Sequence, residues 1–458
     1  MTKKSFLSMI VFSGIIMCLV CNVSAQKISD GASKFVDPFI GTSGDHGQLS
    51  PAASLPFGLV RLCPDTDPAN HPGYNYAAKR IKGFSIIRME GTGCLGSGGN
   101  ILVKPGMGAP DRSSVVYDKS TEKAEPGYYR VNFPDPSIRA ELTATNGTGW
   151  QKFTFMDEGN GWIMIDLSAS LEPLLKEEHR IAGNVVEGSV QAPTNCKNDN
   201  GVYKFWFNLE IDHAADSVVE KGSVIWYFFR AEKGTTVNVK TSISSISPAR
   251  AGKDRLAEIG DADFETIRRR ATERWDEKLG KIAVTGNPEY VKLFYTHYYH
   301  SMLSPSDISS PSGNYRGSDS LQYLAKDYIH YHGWSVWDNF RTEFPLLTIT
   351  EPEVMNDICR SLCDLYREGK LPLATRTEPF PTARTEHSLV VVLDCLSKGI
   401  NRFDLESVYP LMVREAEQNP WSTPDKKLET AYDYWALSRI AKLLNKKEDA
   451  ERFLSMAA

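Results

Sequence analysis

Between about residue 35 and residue 250 apolar and polar positions alternate in short runs, among them Trp150-Gln151-Lys152-Phe153-Thr154-Phe155, Trp162-Ile163-Met164-Ile165-Asp166-Leu167 and Tyr203-Lys204-Phe205-Trp206-Phe207-Asn208-Leu209. A period of two with aromatic and β-branched enrichment predicts strands. Further runs at 223–230 and 235–244, parted by Gly, Asn and Asp clusters, recur at the short spacing of an antiparallel β-sandwich rather than of βαβ units.

The period then changes. Phe264, Ile267, Ala271, Trp275 and Leu279 follow steps of three and four, as do Val291, Phe294, Tyr298 and Met302 after Asn287-Pro288, a helix start signal. Thr350 with Glu353 predicts a capping box for a helix carrying Val354, Ile358, Leu362 and Leu365, ended by Gly369 and Pro372. The segment from His387 to Leu396 is apolar nearly all round and predicts a central, buried helix. Leu405 to Ala416 and Leu428 to Leu444 each keep one polar face, and a last helix runs from Lys447 to Ala458. The expected organisation is multidomain, β then α: a leader at 1–25, a β-sandwich at 26–252, a linker helix at 253–286 and an all-α part at 287–458. About six helices do not close a toroid, so the second half is expected to be a smaller bundle or the first part of something longer.

Composition narrows the partners. A chain of 458 residues with 41% hydrophobic side chains exceeds one comfortable core. Its 52 basic and 57 acidic side chains, net −5, leave no electrostatic footprint for a nucleic acid or an anionic membrane, which points to a neutral, polar ligand. Lys3 and Lys4, the apolar run Phe6 to Val20 and then Val23-Ser24-Ala25 form the three-part pattern of a cleaved export signal, implying a periplasmic or extracellular protein. The run is too short for a membrane span, and no later segment reaches 18 uninterrupted apolar residues. Lipid anchoring at Cys21 is disfavoured by the bulky Val20 before it. The other cysteines after the leader, Cys63, Cys94, Cys196, Cys359, Cys363 and Cys395, are irregularly spaced and give no disulfide scaffold. Cys359 and Cys363 read as small buried apolar residues on one helix.

Candidate chemistry concentrates in GWSVWDNFRTEFPLL, residues 333 to 347, which puts Trp334, Trp337, Asp338, Arg341 and Glu343 close together. An indole face covers the C–H face of a sugar while charged groups take its hydroxyls. Asp338 could accept two hydroxyls, oriented by Arg341. The spacing equally allows Trp334 and Trp337 to be core, Asp338 a cap and Arg341 a partner of Glu343. The glycine-rich GFSIIRMEGTGCLGSGGNILVKPG from Gly83 allows close backbone approach to a ligand or a tight, bulged hairpin. It lacks the Lys-Ser/Thr ending of a phosphate loop and a following helix. His297 with His300, and His330 with His332, have neither an HExxH pattern nor a third ligand and read as structural. Glycosidic hydrolysis needs two carboxylates of opposed protonation; Asp338, Glu343, Glu378, Glu386 and Asp433 are available.

Four long segments, in order, carry a resemblance: FVDPFIGTSGDHGQLSPAASLPFGLVRLCPDTDP, GYNYAAKRIKGFSIIRMEGTGC, WDNFRTEFPLLT and LETAYDYWALSRIAKLL. They resemble the hallmark segments of glycoside hydrolase family 92, over about residues 35 to 458. The resemblance implies an N-terminal β-sandwich on an (α/α)6 toroid and an exported exo-α-mannosidase of N-glycans or mannan. It also implies inversion at the anomeric carbon and a Ca²⁺ that contacts the mannose O2 and O3. By the same resemblance Asp338 matches the aspartate that holds the terminal mannose through O4 and O6, with Trp337 and Arg341 as its supports. Cys94 and the Gly91-Thr92-Gly93 turn match the loop by which the β-domain reaches the site. Glu90 stands where α-1,2-specific members often carry Trp, which weighs against that linkage. The catalytic carboxylates and calcium ligands are expected in later motifs beyond Ala458. The chain is therefore expected to be C-terminally truncated, with no metal ligand of its own, and inactive as it stands. Two alternatives remain open: a non-catalytic mannoside-binding protein using Trp337, Asp338 and the Gly91 loop, and an independent hydrolase using Asp338 and Glu386.

Overall fold

The alternating runs are strands of two antiparallel sheets whose inward residues share one core. One sheet has seven strands, in the order Cys63–Asp67, Arg80–Ser85, Leu102–Met107, Gly159–Asp166, Val224–Ala231 and Ser217–Lys221, with Val115–Val116 added beside Arg80–Ser85. The other has nine. Eight run in the order Lys176–Ala182, Val185–Pro193, Val202–Ile211, Thr236–Ser244, Thr148–Phe155, Ile138–Ala144, Tyr128–Phe133 and Asp118–Glu125. Alternation decides which residues enter the core: Ile163 and Ile165 from one sheet meet Phe153 and Phe155 from the other. Phe155 packs edge-on to Phe229 at 5.2 Å, and Phe84 lies 5.9 Å from Phe153. This computed structural model describes residues 31–44, 47–91, 96–194, 201–371, 375–418 and 423–458. The expected leader at 1–25, with Cys21, and the loop residues Gly93 and Cys94 lie outside them.

Two helices, α1 (Pro248–Ile259) and α2 (Phe264–Leu279), occupy the stretch expected to hold one linker helix. The stripe predicted for α2 is its buried face: Phe264, Ile267, Ala271, Trp275 and Leu279 are all buried. It lies on the nine-stranded sheet, with Phe264 edge-on to Trp150 at 5.7 Å. Gly127, at φ 83°, admits the helix, since a Cβ there would stand 2.6 Å from that of Ala271.

The helical half continues with α3 (Pro288–His300), α4 (Val336–Asn339), α5 (Glu343–Thr350), α6 (Pro352–Arg367), α7 (Ser388–Ser397), α8 (Leu405–Gln418), α9 (Pro424–Leu443) and α10 (Lys447–Ala457). Helix α7 is buried over most of its length and packs on α5, α6 and α9, as its all-round apolar sequence requires. The Thr350–Glu353 capping box is not formed. Thr350 closes α5 and donates to Leu346 O at 3.3 Å, while Glu351 precedes Pro352 and binds Lys278 and Lys281, each at 2.6 Å. Glu353 pairs instead with Arg402. A proline at the first helical position starts α6 without a side-chain cap.

Nor is this half all-α. Ser306–Asp307 pairs with Tyr331–His332, and Asn314–Arg316 with Gln322–Leu324. Thr377–Glu378 runs parallel to Val202–Ile211 and so becomes the ninth strand of the larger sheet. Strands of two or three residues are too short to display a period, which is why alternation does not reveal them. Among the described residues no helix is long and apolar enough to cross a membrane.

Candidate functional site

The segment after Tyr331–His332 is held by a second extended piece. Ala383 N donates to Trp334 O at 2.8 Å and Val336 N to Arg384 O at 2.9 Å, which brings Arg384 and Glu386 beside the single turn of α4. On either side of the start of that turn the two tryptophans part. Trp334 is fully buried in the helical core. Trp337, one turn on, is half-buried, and its indole N–H donates to Glu429 Oε1 of α9 at 2.7 Å. The guanidinium groups of Arg384 and Arg341 stand 4.5 and 4.8 Å from the Trp337 ring centroid.

Asp338 is exposed, with Ser335 Oγ donating to its Oδ2. Partial burial pushes its pKa up and Glu386 adds to the effect, while Ser335, Arg384 and Arg341 oppose it. Arg341 neither clamps Asp338 nor pairs with Glu343. It donates from Nη1 to Trp337 O at 3.0 Å and covers Trp337 and Phe340. One helical turn separates Arg341 from Trp337, so the guanidinium folds back on the residue four before it. Its support for Asp338 is thus indirect.

Glu343 and Glu90 belong to a different, inner place. Glu343 accepts from Asn339 Nδ2 at 2.5 Å, and burial of its carboxyl lifts its pKa to about 8 against the opposing pull of Asn339 and Arg61. Arg61 is buried within electrostatic reach of Glu90 and Glu343 and donates to Ser306 Oγ at 3.3 Å. Glu90 is buried too. Ser50 Oγ donates to its Oε1, its Oε2 has no partner among the described residues, and burial raises its pKa. Glu90, expected on the ligand side, is thus buried among the described residues at the seam between the halves, beside Arg61 and away from Trp337. The glycine-rich stretch is a hairpin with a register shift, Ile87–Arg88 against Gly98–Asn100, as one of its two readings expects. Gly91 N donates to Gln48 O at 2.9 Å.

Beside the wall lies a small cavity of about 30 Å³, room for a hydroxyl or two rather than a whole sugar ring, between the end of α6 and helices α7, α8 and α9. Lys370, Glu386, His387, Glu415, Glu429 and Asp433 line it. Lys370 binds Glu415, which also accepts from Tyr366 Oη at 2.7 Å. Arg384 Nε donates to Glu386 Oε1 at 2.9 Å, and Lys426 stands 3.6 Å from Glu386 and 3.5 Å from Glu429. Burial raises the Glu429 carboxyl, but Trp337, Lys426, His387 and Arg384 outweigh it and hold its pKa below the usual value. The remaining candidates are structural. Glu378 is buried and meets His332 Nε2 at 3.0 Å, while His330 stacks on Tyr315 at 3.5 Å and meets Asp364 at 3.6 Å. The His297 and His300 rings are 5.8 Å apart, and among the described residues no group of three or more His, Cys, Asp or Glu is arranged to hold a metal ion.

The model of the glycosyl hydrolase family 92 N-terminal domain matches residues 35–244, and that of the family 92 catalytic domain matches residues 250–458. The chain belongs to glycosyl hydrolase family 92. An uncharacterized secreted glycosidase of Arthroderma benhamiae is 25% identical over 460 residues, covering 88% of this chain and 54% of the relative. Among solved structures, the family 92 glycosyl hydrolase ccman5 is similar with a TM-score of 0.84 at 28% identity, over 93% of this chain and 63% of that one. The family 92 α-mannosidase BT3965 of Bacteroides thetaiotaomicron gives 0.83 at 25%, over 93% and 65%; the same enzyme is also known in complex with mannoimidazole. The chain thus spans about half the length of the curated relative and under two thirds of these structures. Both domain models find their match within it, and they lend no support to the expectation of a catalytic domain cut short.

Of the residues that meet at this wall, sequence reasoning singled out Trp337 and Asp338 but not Glu429, Arg384 or His387. Glu429 and Asp433 are four apart in LETAYDYW, a spacing that aligns two carboxylates on one helix face. That signal was present. Arg384 could not be found, because the pairing of residues 383 and 384 with 334 to 336 is tertiary.

Proposed function

We propose that this chain supplies the sugar-holding wall of an exported exo-α-mannosidase that hydrolyses terminal α-mannosides of N-glycans or mannan with inversion. One arrangement supports the reading: a half-exposed Trp337, braced by Arg341 and Arg384 and fixed by its N–H to Glu429, beside an open Asp338. The indole gives an apolar plate for one sugar face, and Asp338 and Glu429 are acceptors for hydroxyls at its edge. Such a wall fits the end of a glycan. The α-mannosidase activity of BT3965 and the secreted character of the fungal relative are consistent with it, as is the export pattern at residues 1–25.

Calcium, implied by the family resemblance, does not fit the described residues. None of their acidic, His or Cys groups forms a ligand set, and Glu386, Asp433 and Glu415 are engaged by Arg384, His387 and Lys370.

An NMR time course on an α-mannobiose, run with a catalytically competent enzyme that contains this chain, tests the reading. Mannose released first as the β-anomer is expected; release of the α-anomer, or equal cleavage of the matching α-glucoside, overturns it. The engagement of the cavity carboxylates by cations and His387 favours one second reading, a mannoside-binding protein, for which methyl α-mannoside binds through Trp337 and no sugar is released.

A further inference from the structure

Two acceptors that line the cavity, His387 Nε2 and Glu386 Oε2, are buried without a hydrogen-bond partner among the described residues. His387 is 2% exposed and Glu386 9%. The His387 ring is held from the other side: Nδ1 lies 3.2 Å from Asp433 Oδ1, and Phe340 packs at 4.3 Å. An imidazole beside an ionised carboxylate gives that carboxylate its Nδ1–H, which leaves Nε2 as a lone-pair acceptor.

Nothing in the helix requires this side chain. His387 precedes α7 without making a side-chain cap, and its backbone is left-handed at φ 67°. A buried acceptor left unpaired costs about 1–3 kcal/mol, and a left-handed non-glycine residue costs a comparable amount. Such costs persist where a ligand uses the groups. A ligand with two O–H donors would satisfy both acceptors. A cation fits less well, since Arg384 and Lys426 already stand against the Glu386 carboxylate.

The cavity adjoins the wall: Glu429 lines it and binds Trp337, and Arg384 bridges from the Trp337 ring to Glu386. We propose that Glu386 Oε2 and His387 Nε2 receive two hydroxyls of the same sugar ring that Asp338 holds. His387 is then a specificity-determining residue, and Asp433 the positioning residue that fixes its tautomer. This rests on the mannoside reading above.

Calorimetric titration of the full chain with methyl α-D-mannopyranoside and its monodeoxy analogues tests the assignment. His387→Asn tolerates a positive φ and keeps an N–H near Asp433, but removes the acceptor; affinity is expected to fall at least tenfold. His387→Gln restores an amide oxygen near the Nε2 position and should recover most of the loss. In Asp433→Asn the new amide oxygen can accept only if the proton stays on Nδ1, while its N–H₂ can donate to Nδ1 and move the ring proton to Nε2; a loss of affinity is expected here too. One analogue should bind the wild type weakly yet lose nothing further in His387→Asn, which identifies the hydroxyl concerned.

Binding by His387→Asn within twofold of wild type, while Asp338→Ala abolishes it, overturns the role of His387 and leaves the mannoside reading standing. Equal losses in the Asn and Gln variants assign His387 a structural role and likewise overturn it. No binding by the wild type overturns both. If His387→Asn does not fold, the deoxy series on Asp433→Asn carries the same decision.

Discussion

The seam around Arg61 and the wall around Trp337 are built from the same residue types. In the seam, Arg61 lies within electrostatic reach of Glu90 and Glu343 with Tyr299 nearby, and Arg61 and Glu90 are 4% and 6% exposed. On the wall, Arg341 and Arg384 flank an indole, Asp338 is open and Glu429 is half-buried. Burial decides what each group can do. In the seam burial raises the pKa of both carboxyls against the pull of Arg61; on the wall Asp338 stays open and Glu429, held by Trp337 and Lys426, is kept below its usual pKa.

The sharpest way to break the comparison is through the two tryptophans. Trp334→Ala removes a fully buried indole and is expected to cost about 3–5 kcal/mol in urea unfolding. Trp337→Ala should cost clearly less and instead lose methyl α-mannoside affinity at least tenfold. Equal destabilisation by the two would erase the distinction between core and wall.

Arg61 and Asp338 sharpen it in charge. Arg61→Met takes a buried cation away from the buried Glu90 carboxyl and loses the bond to Ser306, and is expected to cost about 3–5 kcal/mol in urea unfolding. Asp338→Ala removes an exposed group and should change stability by less than about 1 kcal/mol, while mannoside binding falls tenfold or more. Titration calorimetry and urea melts on the same two variants decide it, and an Asp338→Ala protein that still binds normally ends the role given to Asp338.

Much of this division could be read from the chain, and the limit is physical. Period two gave the sandwich strands, and steps of three and four gave the buried stripe from Phe264 to Leu279, because side-chain direction follows local geometry. For GWSVWDNFRTEFPLL, spacing allowed core or site: the structure buries Trp334 in the core and leaves Trp337 half-exposed and Asp338 open. What separates them is contact with residues 383 to 386 and with α9, and no local pattern encodes such contacts. The capping box failed for a related reason, since Lys278 of α2 and Lys281 just after it claim Glu351, and Arg402 claims Glu353.

The finest test concerns Glu343, the residue of the opening motif that ends in the seam. Its folded pKa of about 8 stands above the ordinary carboxyl value of 4.5. Between those two pH values the folded chain keeps a proton that the unfolded chain has lost, so stability falls as pH rises through this window and levels off above pH 8. Glu343→Gln keeps an acceptor for Asn339 but cannot titrate. Its melting temperature relative to wild type should therefore climb from pH 5 to pH 8 and then stay level, with other groups cancelling in the difference. A flat difference would mean that the Glu343 carboxyl keeps its ordinary titration in the fold, and the seam would then be an extension of the wall rather than its opposite.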